Sequence, residues 1–394
     1  MGSEKDYAAR CPLDKHLRRQ HQRPNGRYRL QLQADLGSVA TFDDLPMFCS
    51  SDTKYCCLTN RQGCPLKNKG IFFIAALIFI VSLASWQSKT ISLGYYWLCM
   101  KWSAAEWQEE GVWLPFYQVA IEAKKIEGIE KNASGLTFNK ETGTLFSVIN
   151  APPQIIEITT QGDLLRRIEL VGTKDPEGIT HVNNNLFVIS DERQHNMYWV
   201  EIDSATEAVD AADVPRLGLA IDVEKNLGYE GVSWDSVNQI LFVVKEKAPL
   251  RVLTISGLPD LVEGNYSKRM DLNIKEWKPS TAPTLFMNDL SSLSYHEDTG
   301  NLLLLSDESA LIVEYAPDRQ PVSIMPMWRG WHGLTATIPQ AEGLASGPDG
   351  TIFVLSEPNL FYRFERSIPA RWIDHMETEG SDPFSSNKST TILD

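Results

Sequence analysis

The chain has 394 residues, a formal net charge of -14 and an apolar fraction of 43%. It is longer than one ordinary domain, and this apolar fraction is typical of a globular protein with a sizeable core. The acidity argues against a nucleic-acid partner, because binding to phosphate groups needs clustered Lys and Arg side chains.

Residues 1–69 differ from the rest of the chain because they are basic and show no sustained hydrophobic periodicity. Such a segment buries too little apolar surface to offset the entropy lost on ordering. We therefore predict a largely disordered leader over residues 1–69.

Residues 70–86 form a run of seventeen residues without a charge, which is at the short end of what spans a bilayer. We interpret residues 70–88 as a single transmembrane anchor. The positive charge before the run favours a cytoplasmic leader and puts everything that follows outside. A cleaved signal peptide is the alternative, although the leader is far longer than the positive region of a signal peptide.

Residues 89–115 are rich in aromatic side chains, among them Trp97, Trp102, Trp107 and Trp113. Aromatic rings just outside a membrane segment suit the headgroup level, where a helix could lie. The alternative interpretation of this juxtamembrane segment is a loosely packed linker.

Residues 116–368 repeat one pattern five times. In residues 176–202, an acidic residue and a glycine open a short apolar run, which is followed by a polar turn, a longer apolar run ending in Ser-Asp-Glu, and a third run. The position of this acidic residue corresponds in the five units to Ser134, Glu177, Glu230, Ser291 and Glu342. The spacings between these positions are 43, 53, 61 and 51 residues. This period indicates a repeat architecture whose unit is a small sheet.

Each unit is predicted to contain four strands, because its runs are short, rich in Leu, Ile, Val, Phe and Tyr, and separated by turn residues. The outer strands are predicted over residues 164–170, 217–222, 268–272 and 321–327, and the fifth unit lacks one. Residues 117–126 precede the first unit and are predicted to complete the last sheet. The sequence therefore predicts an all-β, five-bladed β-propeller over residues 116–368, followed by a flexible tail over residues 369–394.

Acidic residues recur where three of the first strands begin and where four of the antiparallel second strands end, with Ser134, Ser291 and Asn150 in the remaining places. These starts and ends lie at one edge of every sheet. In a propeller these edges converge on one mouth of the central channel. The residues predicted at this mouth are Glu177, Glu230, Glu342, Asn150, Asp191, Glu246, Asp307 and Glu357. Crowded carboxylates raise one another's pKa values or require a cation, and hard oxygen ligands suit calcium. The alternative is that these acids only cap strand ends and face water.

Three basic side chains and one histidine are candidates for a catalytic role. Arg193, Lys245 and Arg329 could contact an anionic group, and His332 is a candidate proton carrier. However, the sequence has no nucleophile elbow and no glycine-rich phosphate loop. The other histidines of the repeats, His181, His195 and His296, fall in turns and do not form an evident site.

Several strings in one order, IPQAEGLA, LSEPNLFYRFE, YEGVSWD with LFVVKEKAP, and DLSSLSYHEDTGNLLLLSDES, resemble the SdiA-regulated (YjiK/CarP-type) family of membrane-anchored propellers. The resemblance covers about residues 116–368. It implies a five-bladed propeller, distantly similar to NHL-repeat propellers, with a calcium site and attachment to the bacterial inner membrane. It implies no settled biochemical activity.

Two functions of different class follow from these predictions. The first is a membrane-anchored calcium-binding propeller that binds or senses an unknown small-molecule or protein ligand outside the cytoplasm. The alternative is a calcium-dependent hydrolase, similar to phosphatases, phytases or lactonases, in which the metal polarises the substrate and activates water.

Overall fold

The computed structural model describes residues 66–87, 90–221, 228–247, 249–258, 271–280 and 285–367. Residues 1–65 of the predicted leader and the whole predicted tail, residues 369–394, lie outside the described residues. The chain divides into two units, residues 1–87 and 88–394.

The described part of the first unit is one helix, α1 (Leu66–Gln87), which begins four residues before the uncharged run. Its side chains are described over residues 73–83. Among the described residues, no helix has both the length and the apolar character needed to cross a membrane.

The second unit begins with two helices, α2 (Thr90–Trp102) and α3 (Ala104–Glu110), and a 3-10 turn at Leu114–Phe116. The ring of Tyr96 stacks on that of Phe286, with centroids 4.5 Å apart, and Trp107 and Trp113 are buried in the same hydrophobic cluster. This segment is therefore packed into the propeller core rather than forming a loose linker. Trp97 and Trp102 remain 40% and 54% exposed.

The strands of the described residues form five sheets. The first contains β2 (Ala133–Asn139), β3 (Thr144–Asn150), β4 (Pro153–Ile158), β5 (Leu164–Val171) and, parallel to β5, β9 (Ala208–Asp210). The second contains β6 (Pro176–Asn183), β7 (Leu186–Asp191), β8 (Asn196–Glu201) and β10 (Arg216–Gly218). The third contains β11 (Tyr229–Asp235), β12 (Ile240–Lys245), β13 (Arg251–Ser256) and β14 (Asn273–Trp277).

The fourth sheet contains β15 (Ser292–His296), β16 (Asn301–Ser306), β17 (Leu311–Tyr315) and β18 (Pro321–Pro326). The fifth contains β19 (Ala341–Ser346), β20 (Ile352–Ser356), β21 (Leu360–Arg366) and β1 (Tyr117–Lys125). Strand β1 pairs antiparallel with β21, so that Tyr117 faces Arg366. The first strands β2, β6, β11, β15 and β19 contact one another in a closed circle. The predicted five-bladed propeller, closed by its N-terminal strand, is confirmed.

The predicted outer strands differ most from the observed ones. In the third blade the outer strand is Asn273–Trp277 instead of residues 268–272, of which 268–270 lie outside the described part. In the second blade only Arg216–Gly218 pairs with β8. Strands β10 and β14 expose most of their side chains, so they carry little hydrophobic pattern.

Glycines let the first strands approach one another around the axis. A Cβ atom on Gly135 would lie 2.5 Å from the Glu177 carbonyl oxygen, and one on Gly178 would lie 2.7 Å from the Glu230 carbonyl oxygen. Gly343 would clash in the same way with Leu136 of the first blade, at 2.9 Å. The Glu-Gly pair therefore has a packing reason, because glycine permits the close approach that brings the adjacent glutamates together.

Candidate metal centre

The acidic mouth is built from glutamates at the second position of three first strands. Burial raises the pKa of Glu230 well above its ordinary value, and the charges of Glu177, Glu192, Glu246 and Glu342 raise it further. Glu177, Glu230 and Glu342 are partly buried. Acids from the second, third and fifth blades therefore act on one another, as the sequence predicts.

Glu177 belongs to the tightest group of acids. Asp175, Glu177 and Glu192 each offer a carboxylate oxygen, and these oxygens lie within 4.8 Å of one another, an arrangement that could hold a metal ion. Burial raises the pKa of Glu177 to about 7, against the hydrogen bond of 2.9 Å that Asn150 Nδ2 donates to its Oε1. Asn150, the predicted oxygen ligand of the first blade, thus contacts Glu177 directly.

A second set of acids surrounds Glu342 on the fourth and fifth blades. Burial raises the pKa of Glu342 to about 9, with further contributions from Asp307, Glu177, Glu357 and Asp289. Burial also raises the pKa values of Asp307 and Glu357. The predicted residues Asp307 and Glu357 are therefore brought to the acidic mouth.

The predicted cationic contacts are already engaged by protein groups. Arg193 pairs with Asp175 at 2.7 Å, and Lys245 Nζ donates to the carbonyl oxygen of Lys247 at 2.6 Å. Lys247 lies between Glu246 and Glu308, at 2.8 and 2.7 Å, and these hydrogen bonds raise its pKa. Arg193 and Lys247 therefore offset part of the negative charge at the mouth.

Asp191 has a local role in its loop. It is 1% exposed, and its carboxylate accepts hydrogen bonds from Lys174 N at 2.7 Å and from Gln194 N at 2.8 Å. These contacts match the alternative that an acid caps a strand end. A metal bound at Asp191 would compete with these backbone donors.

His332 and Arg329 lie in the loop between β18 and β19. His332 Nδ1 is 2.8 Å from the carbonyl oxygen of Tyr117, and burial lowers its pKa. Tyr117 belongs to the outermost strand of the fifth blade, whereas the acidic mouth is formed by innermost strands. The exposed Arg329 donates its backbone N–H to Thr337 at 3.0 Å.

Two features of the propeller are not predicted from the sequence. Asp175, which completes the group with Glu177, directly precedes β6. Its counterpart in the fourth blade is Asp289, two positions before Ser291, and the other three blades have no acid there. A cavity of about 360 Å³ lies at the other end of the channel. Each first strand contributes to its lining the residue four positions after the repeated Glu or Ser. These five residues are Phe138, His181, Trp234, Tyr295 and Ser346. His181 and His296 both line it, and they lie in strands β6 and β15 instead of the predicted turns.

A closed ring of five β-sheets, with carboxylates from several blades gathered at one mouth, defines a five-bladed β-propeller with a candidate cation site. Residues 109–365 match the model of the SdiA-regulated family. The chain belongs to the SdiA-regulated family.

Several solved structures are similar to this chain at low sequence identity. A nidogen/laminin complex matches at 13% identity and a TM-score of 0.38, covering 58% of this chain and 73% of the other. A luciferin-regenerating enzyme matches at 13% identity and a TM-score of 0.39, covering 64% and 97%. A streptogramin B lyase matches at 9% identity and a TM-score of 0.38, covering 63% and 97%. None of these similarities indicates a ligand or a reaction for this chain.

Proposed function

We propose that this chain is a membrane-anchored, calcium-binding β-propeller that acts as a binding or sensing module outside the cytoplasm. The observation that carries the proposal is the convergence of Glu177, Glu230 and Glu342, from three blades, with pKa values raised by burial and by neighbouring carboxylates. Partly enclosed carboxylates at this density favour either protonation or a bound cation.

Calcium is the cation that suits this donor set best. Asp175, Glu177 and Glu192 supply carboxylate oxygens. Asn150, whose Nδ2 donates to Glu177, would have to turn its amide to offer an oxygen to the cation. Calcium takes six to eight oxygen ligands in flexible geometry, whereas zinc and copper favour His or Cys. The described mouth residues include no His or Cys in this group. Glu230, Glu342, Asp307 and Glu357 would contribute further negative charge.

Membrane attachment is part of the proposal, with the leader in the cytoplasm and the propeller outside the bacterial inner membrane. It is supported by the uncharged run at residues 70–86 within helix α1. The large apolar side chains described on this helix are 55% to 75% exposed, and they are Phe73, Ile74, Leu77, Ile78, Phe79, Ile80, Val81 and Leu83. Apolar surface of this kind is stabilised by lipid.

A calcium-dependent hydrolase is the second candidate function. It is favoured by Lys247, which is 38% exposed and lies between Glu246 and Glu308 at the acidic mouth. An ammonium group close to a metal could contact the phosphoryl or carboxyl oxygen of a substrate while the metal activates water.

Calcium titration by calorimetry of the full chain in detergent tests the first proposal. We expect saturable binding that Glu230→Gln weakens at least about tenfold. Glu169→Gln is the matched control, because Glu169 is exposed on the outer strand β5. Wild-type binding by both the Glu230→Gln and the Glu177→Gln variants would exclude the acidic mouth as the calcium site.

An assay with phosphate-ester and lactone substrates separates the two functions. A hydrolase should show turnover that a chelator removes and that Glu177→Gln abolishes. Calcium binding without turnover supports the binding module.

A further inference from the structure

The cavity opposite the acidic mouth is a feature that the calcium proposal does not use. Its walls come from all five first strands, near their C-terminal ends. Glu177, Glu230 and Glu342 lie near the N-terminal ends of three of the same strands. The cavity and the acidic mouth therefore face opposite ends of the channel. Its volume of about 360 Å³ is within the range of small-molecule sites.

The blade junctions at this end are held by hydroxyl groups one residue before the cavity-lining positions. Thr137 Oγ1 accepts a hydrogen bond from His181 N at 3.0 Å, and Thr180 Oγ1 accepts one from Trp234 N at 3.1 Å. Ser233 Oγ accepts one from the next blade at 2.9 Å. The walls are thus fixed by backbone contacts between blades, which makes the cavity preformed.

The walls combine aromatic rings with a negatively charged rim. Phe138, Trp234 and Tyr295 line the cavity, and aromatic faces attract cations. The rim contains one lysine and three carboxylates, which are Lys140, Glu141, Glu297 and Asp298. Aromatic walls under an excess of carboxylates favour a positively charged ligand.

An ion pair crosses the opening of the cavity. Lys140, in the turn after β2 of the first blade, pairs with Glu297, in the turn after β15 of the fourth blade. These blades are not neighbours in the ring. Ser236 of the third blade donates to the same carboxylate at 2.9 Å. Glu297 is therefore held at the opening by three blades, with an ammonium group already beside it.

We propose that this cavity binds a small organic cation, an ammonium group joined to an apolar or aromatic body. Glu297 is its counter-charge, and Phe138, Trp234 and Tyr295 enclose the body. The ligand ammonium replaces that of Lys140, which is 52% exposed and can turn into solvent at little cost.

Calorimetry of the full chain in detergent tests this proposal with choline and tyramine. Their uncharged counterparts, 3,3-dimethylbutan-1-ol and 4-ethylphenol, have similar shapes without the charge. We expect at least one cation to bind about tenfold more tightly than its counterpart, a difference of about 1.4 kcal/mol, because only the cation gains cation–π and carboxylate contacts.

Two rim variants make the test specific. Glu297→Gln should weaken binding of the cation, and Lys140→Met should strengthen it, because the competing ammonium is removed. Lys124→Met is the matched control, since Lys124 forms a comparable exposed pair with Asp163 at 2.6 Å away from this cavity. Circular dichroism checks that each variant keeps its fold.

Three results would overturn the proposal. The first is equal or absent binding of the cations and their uncharged counterparts. The second is cation binding that neither Glu297→Gln nor Lys140→Met changes. The third is loss of cation binding in Glu230→Gln together with unchanged binding in Glu297→Gln, which would place the cation at the acidic mouth.

Discussion

The carboxylate of Glu314 accepts a hydrogen bond of 2.7 Å from the backbone N–H of Val112, although 202 residues separate the two in sequence. Trp113 N donates to the same carboxylate at 3.0 Å, and the side chains of Asn301 and Ser323 complete its contacts. One fully buried side chain of the fourth blade therefore fixes the segment that leads into the ring-closing strand β1.

Replacing this carboxylate should destabilise the whole propeller. Glu314→Leu leaves two backbone N–H groups and two side-chain donors without an acceptor, and each buried unsatisfied donor costs about 1 to 3 kcal/mol. We expect a loss of at least about 3 kcal/mol in the free energy of unfolding, measured by urea titration of the full chain. Glu365→Gln, on an exposed ion pair with Arg363, should stay within about 0.5 kcal/mol of wild type. Wild-type stability of Glu314→Leu would show that this contact does not hold the segment.

The acidic mouth should make stability fall as pH rises when no calcium is present. The pKa values of Glu177 and Glu342 are raised to about 7 and about 9 in the folded protein, whereas an unfolded glutamate titrates near about 4.3. The folded state therefore binds more protons than the unfolded state across this window, so raising the pH favours unfolding.

Thermal melts in chelator at pH 5, 7 and 9 measure this contribution. We expect the Tm to decrease over the series and calcium to restore it most at pH 9, because the metal binds the deprotonated acids. Glu342→Gln should flatten the decrease above pH 7. A Tm in chelator that rises from pH 5 to pH 9 would contradict the electrostatic interpretation of the mouth.

Adding one methyl group at the axis should disturb both packing and the metal centre. Gly178→Ala places a Cβ atom 2.7 Å from the Glu230 carbonyl oxygen, and overpacking of this kind costs about 1 to 3 kcal/mol. We expect a lower Tm and weaker calcium binding. Gly94→Ala in helix α2 is the control, because no atom lies within 4 Å of its added Cβ. Equal effects of the two changes would show that the close approach of the blades at the axis does not determine stability or calcium binding.

The membrane proposal is tested by charging helix α1. Ile78→Lys combined with Phe79→Lys should release the chain from membranes, since each lysine near the centre of a span costs about 2.5 to 3.5 kcal/mol. Alkaline carbonate extraction of the membrane fraction measures the release. Leu165→Lys, at an exposed position of β5, should leave the distribution unchanged. Wild-type chain that alkaline carbonate extracts fully would refute an integral anchor.

The sequence predicts best what the ring repeats. Glu177, Glu230 and Glu342 occupy one register position in three blades, so strand order alone brings them to one mouth. Asp175 has a counterpart in the fourth blade only, Asp289, and its contribution depends on how the loop before β6 is placed. The cavity at the other end is also lined by equivalent positions of the five first strands, but these positions hold Phe, His, Trp, Tyr and Ser. A search for one residue type repeated at equivalent positions cannot find a location where the five residue types differ.

The outer strands were harder to predict for a different reason. Strand β14 is exposed along most of its length and is fixed by its backbone pairing with β13. A pattern of buried residues cannot locate a strand that buries almost nothing. The pairing of β1 with β21 was predictable because the count of strands left the last sheet one short.

The same pairing sets an order of events during synthesis. Strand β1 leaves the ribosome before any other strand of the propeller, and its partner β21 is the last to emerge. Until then β1 has no partner strand, and an unpaired strand edge is a site of unwanted association. Premature termination before residue 360 would leave β1 permanently without its partner. The fifth sheet can therefore form only in a chain that has been translated through β21.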